Sequence, residues 1–128
     1  MSDYTIVTAQ DVDDVLGDYP GEMHMFADHL GTEQVAFTYR RMPPDTGGRG
    51  SYGHNHEKQD EVYFVVSGTL TFKCGDDEFQ ADKGTAVNVP AEVVRSVHND
   101  TDEDVELVIV SIRADDEVQF TDDFWPNA

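Results

Sequence analysis

Two histidines one residue apart, His54-Asn55-His56, stand four residues ahead of Glu61, which opens the run Glu61-Val62-Tyr63-Phe64-Val65-Val66. An extended chain turns alternate side chains to one face, so both imidazoles of a His-x-His strand point the same way. If the run from Glu61 is a neighbouring strand, its carboxylate can close a triangle with them. Two imidazoles and a carboxylate that leave positions open suit non-haem iron, manganese or zinc. A lone histidine is more often structural; two in this frame, with a carboxylate at this spacing, favour a divalent metal. Other chemistries have no support. There is no Gly-rich phosphate loop, no Ser-His-Asp order and no Cys-x-x-Cys pair.

The elements that must position these residues are strands. Val35 to Met42 is rich in branched and aromatic residues, and Pro43 to Gly50 is a loop by every breaker rule. Strand-like runs follow at 54–57, 61–67, 69–74, 77–81, 85–89, 93–98 and 105–112, separated by Gly68, Gly75-Asp76-Asp77, Asp82-Lys83-Gly84, Pro90-Ala91-Glu92 and the charged segment Asn99 to Asp104. Many short strands at close spacing with turn residues between them predict an all-β sandwich or jelly-roll barrel. Residues 3 to 33 read as irregular, with a helical turn after a Thr8 cap, then turns and a short strand. At 128 residues the expectation is a single domain over 1–128. The tail, ending Phe124-Trp125-Pro126, is expected to pack on the barrel or on a second subunit.

These residues carry a resemblance to the cupins. Gly48, then five residues, His54-Asn55-His56, four residues, Glu61, six residues and Gly68 is similar to the whole first signature of that family. Gly84, five residues, Pro90, and later Asn99 match part of the second, so the resemblance covers about residues 48 to 99. It implies a single-domain cupin jelly-roll β-barrel, usually a homodimer, with metal-type residues pointing inward. The chain departs from the pattern twice: Glu92 stands where the second signature has its second glycine, and Arg95 where the family has its last metal-binding histidine. His98 lies three residues beyond Arg95, faces away from it on a regular strand, and is not promoted to ligand.

Arginine has five donors and no lone pair, so Arg95 is no ligand. A guanidinium about 5 Å from a divalent ion meets a repulsion of roughly 7 kcal/mol at an effective dielectric of 20, which Glu61 or a bound anion can offset. Three readings stay open. His54, His56 and Glu61 hold a metal, Arg95 clamps a substrate oxyanion and Tyr63, inward by parity with Glu61, donates a hydrogen bond. Alternatively, Arg95 pairs with Glu61 in a metal-free pocket that binds a small molecule without turnover. In the third, the histidines are structural. The first favours dioxygenase- or isomerase-like action on a small polar, anionic substrate. Tyr52 and Met42 are candidates for the rim of the pocket, and His24 and His29 for the surface. Some of Arg40, Arg41, Arg49 and Arg113 are expected in salt bridges.

Composition bounds the partners. Twenty-seven acids against eight lysines and arginines give a formal charge of -19, spread over nearly every loop. Such a surface disfavours nucleic acid and anionic membranes. No apolar run is long enough to span a bilayer, and the single cysteine, Cys74, excludes an intrachain disulfide and fits a reducing cytoplasm. An acidic coat with only three lysines (Lys58, Lys73, Lys83) suggests a halophilic protein, in which salt screens the self-repulsion. Thermal unfolding should therefore rise in temperature from dilute to molar potassium chloride, where the Debye length falls to about 3 Å. An unchanged midpoint would count against the halophilic reading.

Overall fold

The computed structural model describes residues 3–113 and 117–127. Ten strands form among the described residues: β1 (Glu22–Met25), β2 (Val35–Met42), β3 (Ser51–His56), β4 (Glu61–Ser67), β5 (Thr69–Cys74), β6 (Asp77–Asp82), β7 (Ala86–Val89), β8 (Arg95–His98), β9 (Val105–Ile112) and β10 (Val118–Trp125). They build two five-stranded antiparallel sheets, ordered β1-β2-β9-β4-β7 and β10-β3-β8-β5-β6. The expected all-β jelly roll is what forms, with a three-residue 3-10 turn after Thr8 and a one-turn helix, α1 (Ala27–Leu30), before β2.

Alternation along the strands decides what lies between the sheets. In β4, Tyr63 and Val65 are buried while Val62, Phe64 and Val66 face outward. The register extends this face across the first sheet in rows: Glu61 beside Ser111, Tyr63 beside Ile109 and Thr38, Val65 beside Leu107 and Arg40. The second sheet answers with Leu70 and Phe72 of β5, and Val97 of β8 opposite Phe72. Leu70, Phe72, Val65, Val105, Leu107 and Met42 are fully shut from solvent. Each such side chain contributes about 1.5–3 kcal/mol by burial. Met42, a candidate for the pocket rim by sequence, belongs to this core instead, because it shares the inner face of β2 with Thr38 and ends opposite Val105.

The loop before β3 runs close against β8. Gly47 has φ +128, and a side chain there would run into the Val97 carbonyl; Gly48 donates its N–H to that same carbonyl at 2.8 Å. This approach sets β3 beside β8 with His54 directly opposite Arg95. On the other edge of β3 lies β10, with Val118 opposite His56 and Phe120 opposite His54. Sequence patterning does not reveal β10, since Asp122 and Asp123 break its apolar run, Asp123 sits at φ 54, and the register slips between Thr121 and Trp125. Trp125 packs on the barrel as expected, 1% exposed, under the Arg49 guanidinium at 4.6 Å. Among the described residues no helix is long and apolar enough to cross a membrane.

Asn99 closes the barrel where the end of β2 meets the loop between β8 and β9. It is fully buried; its Nδ2 donates to Met42 O at 2.9 Å and Glu103 O at 2.7 Å, and its Oδ1 accepts from Thr101 N at 2.9 Å and Thr101 Oγ1 at 2.7 Å. One side chain thus joins the end of β2 to the loop that carries the chain from β8 in one sheet to β9 in the other. Asn99→Ala strands buried backbone groups that cost about 1–3 kcal/mol each when unpaired. We expect a loss of about 2–4 kcal/mol in urea unfolding with an unchanged m-value; a loss below about 0.5 kcal/mol, the level of a surface change, would show the bracket to be dispensable.

Candidate metal centre

Glu61 extends from the first sheet into the interior and meets His54, His56 and Arg95, all carried by the second. His54 and His56 lie on the same face of β3, their rings edge to face at 5.1 Å. His54 Nε2 is 3.3 Å from Glu61 Oε1, and His56 Nε2 is 3.4 Å from Glu61 Oε2. One ligand atom from each of the three lies within 4.8 Å of the others, so the group could hold a metal ion. The Gln59 side-chain amide, 3.1 Å from His56 Nδ1, fixes that ring with Nε2 toward the carboxylate. A metal-binding histidine donates the N–H of its far nitrogen, so this contact supports a ligand role when the Gln59 amide turns its oxygen rather than its nitrogen to Nδ1. Gln59 has no spacing signature in the sequence and was legible only once the turn after β3 had been folded.

The carboxylate is held unequally at its two oxygens. Oε1 accepts from Arg95 Nε at 3.2 Å, Arg95 Nη2 at 2.9 Å and the Tyr63 hydroxyl at 2.8 Å. Oε2 faces His56. Burial would push the carboxyl up, but hydrogen bonds from His54 and Tyr63 and the charge of Arg95 outweigh it and hold Glu61 down at about 2. Glu61 is therefore an anion at any ordinary pH. Burial first, and the Glu61 charge second, push the Tyr63 hydroxyl well above its usual range, so it stays a neutral donor.

Arg95 differs in geometry from the clamp that the sequence suggests. It is fully buried, and its Nη1 donates to the carbonyls of Pro90 (3.3 Å), Ala91 (3.2 Å) and Val93 (2.8 Å). The turn between β7 and β8 wraps the guanidinium, and Nε and Nη2 go to Glu61. Glu92 points to solvent from this turn, where its replacement of a glycine has no steric consequence. The Tyr63 hydroxyl, expected to meet a ligand, is likewise turned to Glu61.

A cavity of about 660 Å³ opens beside the cluster, a size that suits a small molecule. His54, His56, Glu61 and Tyr63 contribute to its wall; Arg95 does not. Tyr52, foreseen at the rim, lines it and meets Phe120 edge to face at 5.4 Å. Arg40 lines it too; of the four arginines among which some salt bridges are expected, Arg41, Arg49 and Arg113 form them. The remaining histidines lie outside. His29 is exposed as expected, but His24 is buried, its Nδ1 2.9 Å from Val12 O, because the N-terminal segment folds over β1. His98 is paired with Asp45 at 3.0 Å.

Comparison with known proteins agrees with this architecture. The family model for the cupin domain matches residues 40–111. An uncharacterised protein of Streptomyces coelicolor is 42% identical over 52 residues, which is 41% of this chain and 49% of that protein; the match thus spans about half the relative's length. A solved structure described as a sugar phosphate isomerase of the cupin superfamily from Silicibacter pomeroyi superposes with a TM-score of 0.72, 19% identity, and coverage of 97% of this chain and 96% of the other. A cupin protein from Bacteroides fragilis gives 0.69 at 14% identity, covering 90% and 88%. At such identities the likeness carries the fold. With the family model spanning more than half of its residues, the chain belongs to the cupins.

Proposed function

We propose that His54, His56 and Glu61 hold a divalent metal ion (Fe, Mn or Zn) at the wall of the cavity, and that the protein acts there on a small polar, anionic molecule. The observation that carries this reading is the convergence of two imidazoles and one ionised carboxylate within 4.8 Å beside a cavity of about 660 Å³. A bound metal of this kind supplies Lewis acidity or, for iron, a centre for dioxygen chemistry, which gives the isomerase-like and dioxygenase-like alternatives.

The chain's own residues have separable tasks. Glu61 Oε2 is the oxygen offered beside His56, while Oε1 is taken by Arg95 and Tyr63. Arg95 is a positioning residue: it fixes the carboxylate and keeps it ionised. Tyr63 supports the same oxygen. Gln59 orients His56 from the side away from the cavity. The aromatic rim at Tyr52 and Phe120 gives a ligand an apolar surface to lie against. A homodimer belongs to the same proposal, since the outward row Val62, Phe64 and Val66 leaves an apolar face on the first sheet for a second copy to cover.

The second reading, a metal-free module that binds a small molecule without turnover, is favoured by the direct Arg95–Glu61 pairing. We prefer the first because the pairing occupies one oxygen and leaves the other beside His56. Elemental mass spectrometry on tag-free protein purified in high salt separates the two. The metal reading expects about one ion per chain, lost in His54→Ala/His56→Ala; no uptake after reconstitution with iron, manganese and zinc would leave the binding module standing.

The positioning role of Arg95 has its own test. Removing one partner of a buried pair typically costs about 3–5 kcal/mol, because the other charge is left uncompensated. Arg95→Met should therefore lose about that much in urea unfolding, and Arg95→Met/Glu61→Met should recover a large part of it. A single variant within about 1 kcal/mol of wild type, as for an exposed pair, would remove Arg95 from this role.

A further inference from the structure

Arg40 lies on the inner face of β2, between buried Thr38 and Met42 and opposite Leu107. Its surroundings are unusual for this chain. With 27 acids available, the other arginines find carboxylates: Arg41 bonds Glu22 and Asp104, Arg49 bonds Asp100 and Glu78, Arg95 bonds Glu61, and Arg113 bonds Asp28. Among the described residues no carboxylate pairs with Arg40, and its Nε, shut from solvent, has no hydrogen-bond partner. The side chain as a whole is part-exposed and lines the cavity, so its terminal nitrogens open onto that space. The side chains that face it are the hydroxyls of Tyr19, Tyr52 and Tyr63 rather than carboxylates.

A guanidinium does not shed its proton to escape such a site. Desolvating a cation without a counter-charge works against folding, and a side chain kept in that state points to a partner that is not part of the chain. The planar fork of arginine matches the paired oxygens of a carboxylate or phosphate. Between them, Arg40, Arg95 and Glu61 also leave one formal positive charge unanswered on the interior side of the cavity.

We propose that Arg40 is the anion-binding residue of the cavity, taking a carboxylate or phosphate group of a small molecule whose other end reaches His54, His56 and Glu61. This deepens the function proposed above and rests on it for the second contact. It assigns to Arg40 the oxyanion recognition that the sequence suggests for Arg95, whose donors are turned to Glu61 and the backbone. The Tyr52–Phe120 rim faces the same space, so the probes carry a flat apolar ring.

Isothermal titration of benzoate, phenyl phosphate and neutral benzamide, at one fixed potassium chloride concentration, tests this on wild type and Arg40→Gln. Wild type should bind at least one of the two anions about tenfold or more tightly than benzamide, and Arg40→Gln should bring that anion down to the level of benzamide. Whichever anion binds better identifies the oxyanion. The unfolding temperature gives a second readout, because losing an uncompensated cation should leave Arg40→Gln at or above wild type. Wild-type protein stripped of metal by a chelator should keep its preference for anions, so failure of the metal reading, seen in metal content, stays distinct from failure of this one. Equal binding of benzoate, phenyl phosphate and benzamide, an anion preference that survives Arg40→Gln, or an unfolding temperature several degrees lower in that variant would each overturn the proposal.

Discussion

The structure depends on a single carboxylate that crosses between its two sheets. Glu61 belongs to β4 of the first sheet, yet its partners His54, His56 and Arg95 belong to β3 and β8 of the second. A buried anion without partners would protonate or open the barrel. Its satisfaction therefore fixes how far apart the sheets sit and where β3 lies against β8. Arg95 serves both ends of this requirement, since the same guanidinium that fixes Glu61 gathers the carbonyls of Pro90, Ala91 and Val93. A histidine at this position could not bind three carbonyls and a carboxylate together. In this barrel the arginine is thus bound up with the shape of the β7–β8 turn as well as with the charge of the site.

Around that pair the interior grades from polar to apolar in register with the strands. The row of Glu61 and Ser111 gives way to Tyr63, Ile109 and Thr38, and then to Val65 and Leu107. Apolar packing in the last row provides the rigidity against which the polar groups are held, and Asn99 closes that end with bonds to both β2 and the β8–β9 loop. Arg40 is the exception to the gradient: a cation in the row of Val65 and Leu107. Alternation places it inward, beside tyrosine hydroxyls rather than carboxylates.

Period-two patterning made most of this legible in advance. The runs 35–42, 61–67, 69–74 and 105–112 appear as strands with those bounds, because each combines branched or aromatic residues with clear turn residues at its ends. Parity along β3 and β4 placed His54, His56, Glu61 and Tyr63 on inward faces. It could not say what each polar tip would bind, because that depends on contacts between sheets with no fixed spacing in sequence. Arg95 and Arg40 are indistinguishable by type and by parity; only the turn around the first and the open space before the second separate them. β10 was hidden by its acids and its bulge, and His24 by a fold-over of the N-terminal segment that no local pattern announces.

The charge distribution follows the same division between surface and interior. A chain with a formal charge of -19 repels small anions at long range, yet the cavity wall carries two guanidinium groups on or behind it and one carboxylate. Long-range repulsion is screened within about 8 Å at physiological ionic strength and about 3 Å at 1 M, whereas contacts inside a cavity of low dielectric are screened far less. Salt therefore removes the obstacle to approach and leaves the attraction at the site largely intact. An acidic coat and a cavity wall that carries a guanidinium unpaired among the described residues are consistent in one protein on these terms, and the coat has an effect of its own. A coat of this charge repels bulky polyanions, which must lie along the surface to bind.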